Sequence, residues 1–244
     1  MNRIRCKDPR DLGQRAAKHA AACLREAIAS KGQARLLVST GASQFTLLEA
    51  LVREDVNWPK VTLFHLDEYV GMPETHGASF VKYLKERLIA KVPLGAAHLI
   101  DGTGDVQKVI RDMTEAIRQS PIDLGLIGIG ENAHIAFNDP PADFEDKGAY
   151  KVVTLNEACR RQQLGEGWFP TLEDVPSQAI SMTVHQILQC EHILCAVPYK
   201  VKAQAIHDTF TAGEITPLVP ATALRLHKDV TVYVDPDSAS LLEA

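Results

Sequence analysis

The chain has no C-x-x-C pair, and its five cysteines (Cys6, Cys23, Cys159, Cys190 and Cys195) form an odd, scattered set. Disulfide frameworks and cysteine zinc sites both need paired spacings, so neither is expected, and the thiols are predicted to be reduced and mostly in the core. No apolar run approaches the roughly 20 residues of a membrane span, which argues against a membrane partner. Residues 1–5 (MNRIR) read as the approach to a charged helix rather than to a signal-peptide core, so a cytoplasmic location is expected. Basic charge is also short. With 26 Lys and Arg against 31 Asp and Glu, the formal charge is -5 and no basic stripe exists to hold a polyanion. Nucleic acid is therefore not an expected partner, and an anionic small ligand would need a local pocket. Internal repeats and low-complexity linkers are lacking.

The 244 residues are 45% hydrophobic, enough to bury a core as one α/β domain over 1–244, although two smaller domains are compatible with the length. From Asp8-Pro9 onward, Leu12, Ala16, Ala20, Cys23, Leu24, Ala27 and Ile28 recur at helical spacing until Lys31-Gly32 ends the pattern. Residues 35–39 then form a short continuous apolar run, as expected of a parallel strand covered on both faces, and 45–52 read as a helix. The alternation continues, with strands near 60–66, 97–100, 122–128, 151–155, 192–197 and 229–234. Helices are predicted near 78–90, 105–119, 181–189, 199–211 and 237–243. Strands separated by helices predict a Rossmann-like, doubly wound, mostly parallel sheet with helices on both faces. The segment 140–176 has little periodicity beyond one strand, and reads equally as a lid or as a surface excursion anchored by Trp168 and Phe169.

In open α/β sheets ligands bind beyond the carboxyl ends of the strands, so polar residues that follow apolar runs are the candidates for a shared site. One is the turn Ser39, Thr40, Gly41, Ala42 and Ser43, whose hydroxyls and following helix start suit a phosphate, although Ser43 serves equally well as an N-cap. A second is Asp67, which ends the run Leu63-Phe64-His65-Leu66 and could be a general base in a shielded pocket or simply a capping aspartate. The third constrains several residue types together. Gly128 and Gly130 allow a tight turn, His134 can exchange a proton near neutral pH, and Asn132 and Asp139 are close enough in sequence to orient its ring.

Residues 66–72 (LDEYVGM) with 128–140 (GIGENAHIAFNDP), preceded by 39–43 (STGAS), resemble the glucosamine-6-phosphate deaminase/isomerase family along nearly the whole chain. The resemblance implies conversion of an amino-sugar phosphate to a ketose phosphate and ammonia, with no metal and no redox cofactor. It gives Asp67 the role of proton-transferring carboxylate and His134 that of opening the sugar ring, with Asn132 and Asp139 as its companions. It further implies a phosphate site made of Thr40, Gly41, Ala42, Ser43 and Lys202, with Arg160 or Arg161 as a second cation. Relatives range from monomers to hexamers, which leaves room for a homo-oligomer. Two positions depart from the family pattern: the usual Asp-Gly before the histidine is Asn132-Ala133, and the usual Glu is Asp139. Galactosamine-6-phosphate isomerases also carry an asparagine here, so the C4 epimer is a rival substrate. A 6-phosphogluconolactonase and a non-catalytic sugar-phosphate sensor are further alternatives, the sensor weakened by the lack of a DNA-binding module.

Overall fold

The structure, a computed structural model, describes residues 1–165 and 167–242. In chain order the elements are β1 (Asn2–Arg5), α1 (Pro9–Lys31), β2 (Ala34–Val38), α2 (Phe45–Leu51), β3 (Val61–His65), β4 (Asp67–Tyr69), α3 (Phe80–Leu84), β5 (Ala96–His98) and α4 (Val106–Arg118). They continue with β6 (Leu124–Ile127), β7 (Tyr150–Thr154), α5 (Glu157–Gly165), β8 (Gln178–Met182), α6 (Val184–Ile187), β9 (His192–Val197), α7 (Ala203–Thr211) and β10 (Val230–Val234). Seven strands form one sheet in the order β1-β10-β9-β6-β2-β3-β5, and every pairing in it is parallel. The Rossmann-like doubly wound reading therefore holds.

The chemistry of the strands explains the layering. Leu37 packs on one face of the sheet with Phe64 and Ile127, whereas Leu36 and Val38 pack on the other with Leu63, Leu124 and Leu126. Alternate side chains of β2 thus enter two different apolar layers, which is why the strand reads as unbroken apolar sequence. The second layer is closed by α1, whose Leu12, Ala16, Ala20 and Leu24 are buried. That helix starts where the Asp8 carboxylate accepts from the N–H groups of Arg10 and Asp11, and it stops at Gly32, which takes a left-handed φ of 78° and donates to the Ile28 carbonyl. Small residues let it approach α2 closely: a Cβ on Gly13 would come within 2.4 Å of the Thr46 backbone.

Several elements differ from the sequence reading. Residues 2–5 lead into α1 as read, but they do so as an edge strand, β1, paired with β10. Residues 181–189 do not form one helix: β8 occupies 178–182, and α6 is confined to 184–187. The helix read at 237–243 is a series of turns over 236–241, and position 243 lies outside the described residues. The strand near 151–155 exists as β7 but belongs to a second, antiparallel sheet of three strands, β4-β8-β7. The irregular segment 140–176 contains an unanticipated helix, α5. Phe169 does anchor this segment, 5% exposed within an aromatic cluster, while Trp168 is 37% exposed.

The order of winding sets the location of a site. From β2 the chain adds β3 and β5 on one side, then crosses to the other side of β2 to add β6, β9 and β10. The crevice between the carboxyl ends of β2 and β6 is thus the point where the winding reverses.

Candidate functional site

One pocket lies at that reversal point. Its walls are the turn 39–43 after β2, Leu66 and Asp67 after β3, the glycine loop 128–137 after β6, and Tyr199, Val201 and Lys202 after β9; Phe80 and, from α5, Gln162 and Gln163 close it. Thr40, Gly41, Ala42, Ser43, Asp67, His134 and Lys202, scattered over 163 positions of sequence, share this cavity.

The turn after β2 bends at Gly41, whose φ of 99° is in a region that side-chain-bearing residues avoid. Its carbonyl is turned away and accepts from the Tyr83 hydroxyl at 3.0 Å. Neither the 3₁₀ turn 42–44 nor α2 behind it has a side-chain cap, so Ser43 does not serve as the N-cap. Its hydroxyl accepts instead from the Gln44 amide at 3.0 Å. Uncapped helical N–H groups facing a cavity suit an anion. Lys202, which lines the same cavity, is 8% exposed at the end of a 3₁₀ turn leading into α7. Tyr199, which begins that turn, has φ of 80°, a strained value for a bulky residue, and its N–H donates to Asp235 at 3.1 Å.

Asp67 is 6% exposed at the start of β4. Burial, with the adjacent Glu68 adding repulsion, pushes its carboxyl up to about 8. His134 sits on a tightly specified loop. Its ring packs on the Gly130 Cα so closely that a Cβ there would lie 2.3 Å from the imidazole. Its backbone N–H can only donate, and it donates to the Asn132 side-chain oxygen at 3.2 Å. The Asn132 amide is oriented by this bond, its NH₂ donating to Asp139 at 3.0 Å. The same Asn132 oxygen lies 2.6 Å from His134 Nδ1, and Asp139 lies 3.2 Å from it. Nδ1 therefore carries the proton between two acceptors, and Nε2 is the basic nitrogen. Burial alone would raise Asp139, but the hydrogen bond from His134, its charge and the bond from Asn132 outweigh it and hold the carboxyl below the usual range.

The three-stranded sheet registers these groups against each other. Asp67 pairs with Ser181 of β8, and the Ser181 hydroxyl accepts from the Phe137 N–H at 3.0 Å. Asn138 donates to the Met182 carbonyl at 2.8 Å. One strand thus grips both the Asp67 segment and the histidine loop.

Arg160 and Arg161 fall outside the pocket. Arg160 donates to the Leu172 and Val175 carbonyls, and Arg161 pairs with Glu157 at 2.5 Å. Their neighbours Gln162 and Gln163 line the site instead. Gln163 accepts from the Tyr69 hydroxyl at 2.7 Å, and Gln162 accepts from the Glu131 N–H at 3.2 Å. Cys159 and Gln163, one turn apart, are the two buried positions of α5, which turns the arginines to another face.

Fold and pocket define an α/β protein of the Rossmann-like class with a cavity at the winding reversal. Residues 7–233 match the model of the family described as glucosamine-6-phosphate isomerases/6-phosphogluconolactonase, and the chain belongs to that family. Among curated relatives, glucosamine-6-phosphate deaminase of Streptococcus uberis is 34% identical over all of both chains. That of Latilactobacillus sakei is 35% identical over 84% of this chain and 86% of its own. A solved monomeric glucosamine-6-phosphate deaminase superposes with a TM-score of 0.89 at 31% identity, covering 99% of this chain and 100% of its own. A 6-phosphogluconolactonase from Thermotoga maritima shares the fold, with a TM-score of 0.78 at 16% identity over 96% of this chain and 98% of its own.

Proposed function

We propose that the chain converts glucosamine-6-phosphate to fructose-6-phosphate and ammonia. The observation that carries this reading is the convergence of a shielded carboxylate, Asp67, and an oriented imidazole, His134, on a pocket that is also lined by the uncapped turn 41–43 and by Lys202. Family membership and relatives bearing the deaminase name support it. Thr40, Gly41, Ala42, Ser43 and Lys202 hold the phosphate, and this remote binding orients the sugar. His134 accepts the O1 proton at Nε2 and returns it to the ring oxygen, opening the pyranose; Asp139 balances the transient imidazolium charge through Nδ1. Asp67, as carboxylate, takes the C2 proton and delivers it to C1 through an enolamine, leaving a C2 imine. Water adds to the imine and ammonia departs.

Asp67→Asn should lower turnover by about 10² to 10⁴, the usual contribution of a positioned proton-transfer group, while binding of the phosphate ester persists. Near-wild-type turnover would remove Asp67 from this role. Ammonia release measured separately from glucosamine-6-phosphate and galactosamine-6-phosphate assigns the epimer. Hydrolysis of the phosphogluconolactone without deamination would favour the lactonase reading, and binding without turnover the sensor.

A further inference from the structure

We propose that Glu68 is a positioning residue for proton transfer, strapping the pocket-wall residue Phe80 to the strand that carries Asp67. Glu68 is 1% exposed. One of its oxygens accepts from the Tyr69 N–H at 2.9 Å. The other accepts from the Ser79 hydroxyl at 2.8 Å and from the Val81 N–H at 2.9 Å. These last two donors flank Phe80, which lines the same pocket as Asp67. The Phe80 ring also packs on Tyr69 and Phe137, with ring centroids 5.0 and 5.9 Å apart, so it meets both the base-bearing strand and the histidine loop. Packing is tight behind the carboxylate, where a Cβ on Gly102 would sit 3.4 Å from Glu68 Cγ.

Capping is only part of this arrangement, since Glu68 takes the Val81 N–H at the start of α3. The five-residue α3 already has Ser79 as its N-cap, accepting from the Lys82 N–H at 3.3 Å. A second acid buried beside Asp67 adds desolvation and like-charge repulsion that a merely structural contact would avoid. Such a local violation is expected where geometry serves the reaction. In this role Glu68 fixes how closely the apolar wall approaches the base and the carbon that loses its proton.

The inference rests on Asp67 being the base. Its test is steady-state kinetics of Glu68→Gln and Ser79→Ala with C2-protonated and C2-deuterated glucosamine-6-phosphate. Glu68→Gln should lower kcat roughly 10- to 100-fold, change KM by no more than about threefold, and raise the primary isotope effect as proton transfer becomes slower relative to the other steps. Ser79→Ala should do the same to a smaller extent, and it decides the matter alone if Glu68→Gln does not fold. Wild-type kcat and isotope effect, or a loss confined to thermal stability, would overturn the role of Glu68. An active Asp67→Asn would sink the base assignment itself, whereas an inactive Asp67→Asn beside unaffected Glu68 and Ser79 variants would sink only this inference.

Discussion

A carboxyl group that is 6% exposed beside a second buried acid keeps its proton to unusually high pH, and Asp67 illustrates both sides of that property. Removing a proton from carbon requires the carboxylate, so kcat/KM should climb with pH until the free enzyme's Asp67 ionises near 8. Stability should move the other way. The folded value lies above the ordinary 3.8, so the native state binds this proton more tightly than the unfolded chain does. Its contribution is fully present below the ordinary value and is lost as pH rises toward about 8. Asp67→Asn, which cannot ionise, should therefore gain on the wild type in melting temperature by more at pH 9 than at pH 6. Melting curves at the two pH values check this, and a constant gap would mean that Asp67 is not held in a desolvating site. At the histidine, the two departures from the family pattern are complementary here: Asn132 bridges His134 and Asp139, so one carboxylate remains beside the ring.

At the level of elements, the loop after β6 makes the sharpest demand on residue type. Gly130→Ala would drive a methyl into the imidazole, since the nearest ring atoms lie 2.3–2.4 Å from the added carbon. The expected result is a fall in kcat of about 10²-fold, in keeping with a displaced general acid–base group, with a smaller effect on folding because the ring can swing toward the cavity. Circular dichroism melts run beside kinetics separate the two effects, and an active Gly130→Ala would mean that the loop relaxes without disturbing the ring. The same scale shows what sequence could reveal. Strands such as Ala34–Val38 and His192–Val197 were legible because both faces are covered, leaving unbroken apolar runs. β1 was hidden because NRIR is a short, polar edge, and β4 because its three residues, two of them acidic, bury in a way that composition does not advertise. The apolar residues of β8 run directly into those of α6 with only Thr183 between, so two elements merged into one apparent helix. Asp67 and His134 stood out because polar residues ended apolar strands. Glu68 and Gln163 act through partners 11 to 94 positions away, which no local pattern records.

For the molecule as a whole, the ordering of the sheet makes its stability uneven. β2 is flanked on both sides and buried at every position, whereas β5 is an edge strand with two of its three residues exposed. Hydrogen exchange should therefore find β2 amides opening only with global unfolding, and β5 and α5 amides exchanging through smaller openings. Inorganic phosphate or a sugar phosphate should slow exchange at 41–44 and 200–203 together. Equal protection of β2 and β5, or protection at only one of the two turns, would contradict this picture. Finally, the grip of β8 on both the Asp67 segment and the histidine loop means that the alignment of Asp67 with His134 is referenced to a strand outside the main sheet. The transplantable unit of this molecule is accordingly the small antiparallel ribbon with its two attached loops: moving the loops alone onto another parallel sheet would carry Asp67 and His134 but leave their ruler behind.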